Sequence, residues 1–107
     1  MITAIVRYKL PATIGREECR EHFLKIARGF GHVDGLIRKQ FLWSETGIAG
    51  GVYQWEALAH AKRFYGGPWL AGILSRYGAY PDIEYFTTFA VTENPGGVVT
   101  VPDCLEI

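Results

Sequence analysis

Gly35–Glu56, GLIRKQFLWSETGIAGGVYQWE, contains two β-prone runs on either side of the turn signal Glu45–Gly47. Large apolar side chains occupy both alternating faces of these runs, although an antiparallel sheet in a small domain commonly buries only one face. A glycine pair, Gly50-Gly51, interrupts the second run. The segment therefore predicts a β-hairpin that is covered on both faces.

The sequence leaves two pairings of this hairpin open. In the first, Thr46-Gly47 is a two-residue loop, so that Glu45 faces Ile48 and Trp43 faces Gly50. The aromatic ring would then cover the bare glycine backbone. In the second, Gly50-Gly51 forms a β-bulge that shifts the pairing and swaps the faces beyond it.

The segments outside the hairpin alternate between strand and helix periodicity. Cys19, Phe23 and Ile26 lie on one apolar stripe of the first helix. Before the hairpin we predict a strand at Ile2–Lys9 and a helix that has Thr13 as N-cap and ends at Gly29 and Gly31. After the hairpin we predict a helix at Ala57–Tyr65, which Gly66-Gly67 ends, and a short helix that begins at Pro68. The last predicted strand is Ile83–Thr92.

The order β-α-β-β-α-(α)-β is the ferredoxin-like arrangement, an α+β fold with helices on one face of an antiparallel sheet. Phe41 and Trp43 are predicted to share one face of the second strand, whereas Leu36 and Leu42 share the other. Burial of a large apolar side chain contributes about 1.5–3 kcal/mol. We therefore predict that an identical chain covers the open face in a two-fold homodimer.

Length and turn signals predict one domain over residues 1–93 and a tail over residues 94–107. The tail begins with the turn Asn94–Gly97 and continues with the strand-prone run Val98–Val101. We predict that this run adds to a sheet edge or acts as a dimer arm.

Composition narrows the class of function. The chain has 11 basic and 11 acidic residues, which argues against general nucleic-acid binding. It has no apolar run that would span a bilayer, and its N-terminus does not resemble a signal peptide. We therefore expect a cytoplasmic protein without membrane partners, in which Cys19 and Cys104 are free thiols and Cys19 is buried and inert.

The histidines offer the main candidates for acid–base chemistry. Their spacing does not fit a metal site, so we predict no protein-ligated metal. His22 lies beside the apolar stripe of the first helix and is a candidate base, with a solvated boundary residue as the alternative. His60 is a second candidate, with an exposed helix residue as the alternative. No nucleophile elbow or phosphate-binding loop is present.

Aromatic residues are the strongest hint of a ligand site. They could build a pocket for a flat organic ligand or pack as core, and the sequence leaves this open. The substrate-pocket candidates are Trp43, Tyr53, Trp55, Phe64, Tyr65 and Trp69.

The motifs G-L-I-R-K-x-F-L-W, A-G-G-V-Y-x-W-E and A-x-A-x-x-F-Y resemble the YdhR-like mono-oxygenases of the dimeric α+β barrel superfamily. The resemblance covers Met1–Glu93 and is most specific over Gly35–Tyr65. It implies a ferredoxin-like protomer, a dimer whose two sheets form a barrel, and a pocket between the sheet and the helices.

The resemblance implies several activities. The superfamily includes cofactor-independent quinol-type mono-oxygenases, haem-degrading enzymes, isomerases and proteins without established activity. Haem-degrading relatives use an Asn on the first strand, but Ile2–Lys9 contains none. We therefore transfer no catalytic residue.

Our leading hypothesis is a mono-oxygenase, an oxidoreductase that acts on an aromatic or quinol-like small molecule without metal or flavin. One alternative is a non-catalytic binding protein for a hydrophobic metabolite or haem. Another is an isomerase on the same scaffold. We predict no cofactor, and haem stays open as a ligand.

Overall fold

The computed structural model describes residues 1–102, so Cys104 and the end of the predicted tail lie outside the described residues. The strands of this range are β1 (Ile2–Lys9), β2 (Leu36–Trp43), β3 (Ile48–Trp55), β4 (Asp82–Thr87), β5 (Val91–Glu93) and β6 (Val98–Thr100). The helices are α1 (Arg16–Ile26), α2 (Leu58–Tyr65) and α3 (Pro68–Tyr77), with a 3₁₀ helix at Ala27–His32.

The central sheet has the spatial order β2-β3-β1-β4, with every neighbouring pair antiparallel. The helices pack on one face, which confirms the predicted ferredoxin-like α+β fold. Alternation along β1 explains this layering, because every second residue from Ile2 to Tyr8 is buried beneath the helices. Cys19 is 1% exposed in the same core, and this confirms the predicted burial.

The first helix begins later than predicted. Thr13 is not the N-cap, because the Ile14 N–H donates to the Pro11 carbonyl (3.0 Å) and closes a turn around it. The N-cap is Gly15, whose N–H donates to Oε1 of Glu18 at 2.9 Å. At the other boundary, Gly66 caps α2 and Pro68 is the first residue of α3, as predicted.

The hairpin adopts neither of the two predicted pairings. Its loop has three residues, Glu45–Gly47, because the Ser44 N–H donates to the Ile48 carbonyl at 2.8 Å. Gly47 takes a positive φ of 85°, which suits glycine at the last position of such a loop. Trp43 therefore faces Ala49 rather than Gly50, and the register is continuous through Gly50-Gly51.

The irregularity in the hairpin lies at the start of β2 instead. The pairing shifts between Leu36 and Arg38, which leaves Ile37 as the extra residue. Leu36 pairs with Trp55, so it shares the helix-covered face with Phe41 and Trp43. The prediction that Leu36 and Leu42 share a face is therefore wrong, because the shift reverses the alternation.

The glycine pair is required by close packing on both sides of β3. A Cβ at Gly50 would overlap the Val6 carbonyl oxygen of β1. A Cβ at Gly51 would lie 2.8 Å from the Gln40 carbonyl oxygen of β2, and 3.2 Å from both Cε of Lys39 and a ring carbon of Tyr53. Gly50 thus lets the backbone of β1 approach, whereas Gly51 makes room for the backbone of β2 and for side chains on the helix-covered face.

Gly50→Ala is expected to destabilise the fold by about 1–3 kcal/mol or more, because the backbone of β1 or β3 must move to admit the methyl group. Chemical denaturation would measure the change in the free energy of unfolding. Gly29→Ala is the matched control, since a Cβ there meets no atom within 4 Å. Equal stability of the two variants would contradict this account of Gly50.

The last predicted strand, Ile83–Thr92, is divided in the structure. β4 ends at Thr87, which pairs with Ile2, the first residue of β1, so the segment beyond has no residue of β1 opposite it. Val91–Glu93 instead pairs with Val98–Thr100 as a separate two-stranded sheet across a turn with a cis Asn94–Pro95 bond. The last residues of the predicted domain, Val91–Glu93, therefore pair with the predicted tail at Val98–Thr100.

The open face of the central sheet is partly covered by the chain itself. The hydroxyl of Thr88 bonds that of Thr3 on β1, and Glu93 pairs with Arg38 on β2 at 3.3 Å. Residues 88–93 therefore cross the sheet at one end. No helix among residues 1–102 has both the length and the apolar character that a membrane span requires.

Candidate functional site

The candidate site is a cavity of about 360 Å³ between the sheet and the helices. Its floor comes from β1, β2 and β3, and its walls come from α1, the 3₁₀ helix and α3. The lining residues are Tyr8, His22, Phe23, Ile26, Phe30, Lys39, Tyr53, Trp69, Gly72, Ile73, Arg76 and Tyr77. The lining is mainly aromatic and aliphatic, and its lysine, arginine and histidine side chains are joined by no Asp or Glu of residues 1–102.

Lys39 is the most unusual residue of this cavity. It alternates onto the helix-covered face of β2, where its Nζ lies 3.6 Å from the ring centre of Phe30, 3.9 Å from Phe41 and 4.6 Å from Tyr53. No carboxylate among residues 1–102 forms an ion pair with it. Burial lowers the pKa of Lys39 to about 7, although the ring faces favour the ammonium form.

Because burial lowers the pKa of Lys39, the free energy of unfolding should rise with pH. The unfolded chain keeps the lysine proton to about pH 10.5, whereas the folded chain releases it near pH 7. The charged Lys39 therefore lowers the free energy of unfolding by its full amount below pH 7. This loss of stability decreases as the pH rises from about 7 to about 10.5.

Lys39→Met is accordingly expected to stabilise the fold at pH 6 by about 1 kcal/mol or more, which raises Tm by about 4–8 °C in a domain of this size. The gain should shrink towards pH 10. Lys25→Met, at an exposed position of α1, is the control and should show no such trend. A Tm gain that is independent of pH would contradict the account.

His22 enters the cavity from α1. Burial lowers its pKa, and the neighbouring cations of Arg76, Lys25 and Lys39 lower it further. The imidazole is therefore neutral at pH 7 and has a lone pair that can accept a proton. Of the two histidine candidates, His22 is the one that lines this cavity.

Tyrosines supply the hydroxyl groups of the site. Tyr8 and Tyr77 stack with ring centres 4.4 Å apart, and Tyr53 lies on the floor beside Trp69. Burial raises the pKa of Tyr8 and of Tyr53 well above the ordinary value. These hydroxyls therefore stay protonated and can donate hydrogen bonds to a ligand oxygen.

The predicted aromatic set separates into three places. Tyr53 and Trp69 line the cavity. Trp43 lines a different groove of about 270 Å³ beside α1, with the Arg16 guanidinium 5.6 Å from its ring centre. Trp55, Phe64 and Tyr65 pack together in or against the core, where the Trp55 indole N–H donates to the Tyr65 hydroxyl at 3.2 Å.

His60 lies away from the cavity, at the start of the hairpin. Its ring sits directly over Gly35, where a Cβ would overlap the imidazole. Its Nε2 is 4.0 Å from Oδ2 of Asp34, which Arg63 also approaches at 3.3 Å. His60 therefore packs against the start of the hairpin and does not line the cavity.

Sequence reasoning missed Lys39, Arg76 and Tyr8. A signal for Lys39 was present, because it shares the alternation of Phe41 and Trp43 and so belongs to the core-facing side of β2. A lysine at a core-facing position between apolar neighbours is unusual. Arg76 carried no comparable signal, since it is exposed and falls at the mouth of the cavity only after α3 is placed.

The arrangement can hold a flat aromatic molecule, accept a proton from it and donate hydrogen bonds to its oxygen atoms. Within residues 1–102, no three His, Cys, Asp or Glu side chains converge to hold a metal ion.

No family model and no curated protein sequence matches the chain. Solved structures do resemble it. A protein of unknown function from Nitrosomonas europaea, NE2512, aligns with a TM-score of 0.68 at 17% identity, over 89% of this chain and 95% of that one.

Two further similar structures are each named a "putative antibiotic biosynthesis monooxygenase". The one from Caulobacter crescentus CB15 has a TM-score of 0.58 at 18% identity, over 79% of this chain and 86% of that one. The one from Deinococcus radiodurans has a TM-score of 0.64 at 14% identity, over 90% of this chain and all of that one. At such identities the likeness establishes the fold, and the chain shares the ferredoxin-like α+β fold of these proteins.

Proposed function

We propose that this protein is a cofactor-independent mono-oxygenase of an aromatic or quinol-like small molecule. The observation that carries the proposal is a neutral His22 at the wall of an aromatic cavity that also holds tyrosine hydroxyls. Two structures of the same fold bear mono-oxygenase names, which supports the proposal. The resemblance of Gly35–Tyr65 to YdhR-like mono-oxygenases supports it as well.

The chemistry begins with proton transfer from a phenolic hydroxyl of the substrate to His22. The resulting anion is electron-rich and reduces O₂ itself, so no metal or flavin is required. A quinol would take one oxygen atom into its ring and become a hydroxyquinone, while the other oxygen atom leaves as water. The substrate supplies all four electrons, and each turnover consumes one O₂.

The remaining lining residues favour the anion over the neutral substrate. The hydroxyls of Tyr53 and Tyr77 can donate to its oxygen atoms. The rings of Trp69 and Phe23 and the side chain of Ile26 would reduce the contact of the ligand with water, which would strengthen these hydrogen bonds. We assign the base to His22 rather than to His60, because His60 does not line the cavity.

The test is substrate consumption with and without oxygen. The purified protein is incubated with a panel of phenols and quinols in air and under argon, beside buffer alone. Oxygen-dependent loss above the buffer rate supports the proposal. Turnover that ignores oxygen indicates an isomerase, whereas binding of panel members or of haem without turnover indicates a binding protein.

We further propose a homodimer in the cytosol that forms through the open face of the sheet. This face carries a groove of about 420 Å³ over Gly50, flanked by Ile5, Leu42 and Val52. Leu42 is 41% exposed and Phe86, on the same face, is 43% exposed. Zero formal net charge leaves little repulsion between copies.

The dimer is expected to persist at micromolar concentration in size-exclusion chromatography with light scattering. Leu42→Glu should shift it towards monomer, because two carboxylates would enter an apolar interface. Glu45→Lys, in the exposed hairpin loop, is the control and should remain a dimer. A wild-type protein that elutes as a monomer would refute this proposal.

A further inference from the structure

The charges that face the cavity are unbalanced. His22 from α1, Lys39 from β2 and Arg76 from α3 all line it, and no Asp or Glu among residues 1–102 does. Acidic side chains of the described chain pair elsewhere, for instance Glu84 with Arg7 and Asp34 with Arg63. The cavity therefore has basic groups on three separate elements, and the described part of the chain places no carboxylate beside them.

The surroundings of Lys39 make this imbalance specific. The ammonium group is enclosed by the faces of Phe30, Phe41 and Tyr53, at 3.6, 3.9 and 4.6 Å from the ring centres. Ring faces attract a cation but accept no strong hydrogen bond in the way that a carboxylate does. No carboxylate among residues 1–102 supplies that partner, so an incoming anion would find an unpaired, partly dehydrated donor.

We propose that the ligand of this cavity is an aromatic anion, a planar ring with a carboxylate group, and that the half-buried Lys39 is its counter-ion while Arg76 attracts it at the mouth. The proposal rests on the proposed function for the use of the cavity and narrows the substrate class. The aromatic walls take the ring, and the basic groups take the charge.

Anion binding also couples to proton uptake. Free Lys39 is about half protonated near pH 7, and a bound anion raises its pKa. Affinity should therefore be highest below pH 7 and fall as the pH rises above it, by at most about tenfold per unit. The other titratable or charged groups facing this space are His22 of α1, Arg76 and Tyr77 of α3, Tyr8 of β1 and Tyr53 of β3.

The experiment compares 2-naphthoate with 2-naphthamide, which has nearly the same shape but no charge. Binding to the full chain is followed under argon by isothermal titration calorimetry, with intrinsic tryptophan fluorescence as a second signal. We expect 2-naphthoate to bind about tenfold or more tightly than the amide at pH 6.5. Its affinity should decline between pH 7 and pH 9.

Variants assign the preference to Lys39. Lys39→Met should bind both compounds with similar affinity and lose the pH dependence, whereas Arg28→Gln, exposed on the 3₁₀ helix and outside the cavity lining, should behave as wild type. His22→Gln should retain the pH dependence if Lys39 causes it. Thermal unfolding of each variant verifies that it is folded.

Equal affinity for naphthoate and naphthamide in the wild type would overturn the proposal, as would a preference that survives in Lys39→Met. These outcomes are independent of oxygen chemistry, because the titrations are anaerobic and involve no turnover. Oxygen-dependent consumption of neutral quinols together with no anion preference would refute this inference alone. Anion preference without turnover of any panel member would refute the proposed function alone.

Discussion

His22→Gln is expected to lower kcat/KM for oxygen-dependent turnover by about 10²–10⁴-fold, the usual loss when a positioned general base is removed. Glutamine keeps much of the size and hydrogen-bonding capacity of the imidazole but cannot accept the substrate proton. The measurement is the initial rate of O₂ uptake with the best substrate of the panel. The fold should persist, because His22 is half-buried at the edge of α1 rather than in the core.

His60→Gln is the matched control for this prediction. It makes the same chemical change at a histidine that packs over Gly35 and lies outside the cavity lining. Its kcat/KM should stay within a few-fold of wild type. Equal losses in the two variants would remove His22 from the role of base, and a loss confined to His60→Gln would require a different site.

The pH profile sharpens the assignment. The base must be neutral to accept a proton, and burial lowers the pKa of His22 below its ordinary value. In the wild type, kcat/KM should therefore decrease at pH values below about 6.5, where His22 takes up a proton. This decrease should be absent in His22→Gln. A decrease that is unchanged in this variant would assign the titration to another group.

Trp55→Ala is expected to destabilise the protein by about 3–5 kcal/mol, a large share of the stability of a domain of this size. Trp55 is 0% exposed, packs against Tyr53 with ring centres 5.9 Å apart, and donates its indole N–H to Tyr65. The substitution leaves a cavity and removes the donor to a buried hydroxyl. Chemical denaturation at 25 °C measures the change.

Trp43→Ala is the control for Trp55→Ala, because Trp43 is only half-buried beside the groove at α1. It should cost clearly less stability. If Trp43→Ala were the more destabilising of the two, the division of the aromatic set into core and groove would be wrong. This comparison separates the two interpretations of the aromatic residues that the sequence left open.

The fold was predictable because several local patterns agree. Alternation along Ile2–Lys9, the apolar stripe of α1 and Pro68 at a helix start each restrict the chain independently. The hairpin register was not predictable, because a two-residue and a three-residue loop both end at Gly47. A difference of one residue in the loop changes every cross-strand partner.

The candidate site was predictable only in part, because it depends on where the helices leave a gap. Tyr53 and Trp55 are two residues apart and share one face of β3, so their alternation is identical. Phe64 and Tyr65 of α2 pack against both rings, but of the two only Tyr53 also lines the cavity between the sheet, α1 and α3. No local pattern distinguishes these environments, since helix placement is a tertiary property.

Labelling of the product with ¹⁸O₂ shows directly whether the protein transfers an oxygen atom from O₂ to its substrate. The protein is incubated with the best phenol or quinol of the panel under ¹⁸O₂, and the product is analysed by mass spectrometry. We expect one labelled oxygen atom per product molecule in the wild type and in His60→Gln, with the amount of product strongly reduced in His22→Gln. No oxygen-dependent product above the buffer rate, or product oxygen that derives from water, would contradict the proposed function.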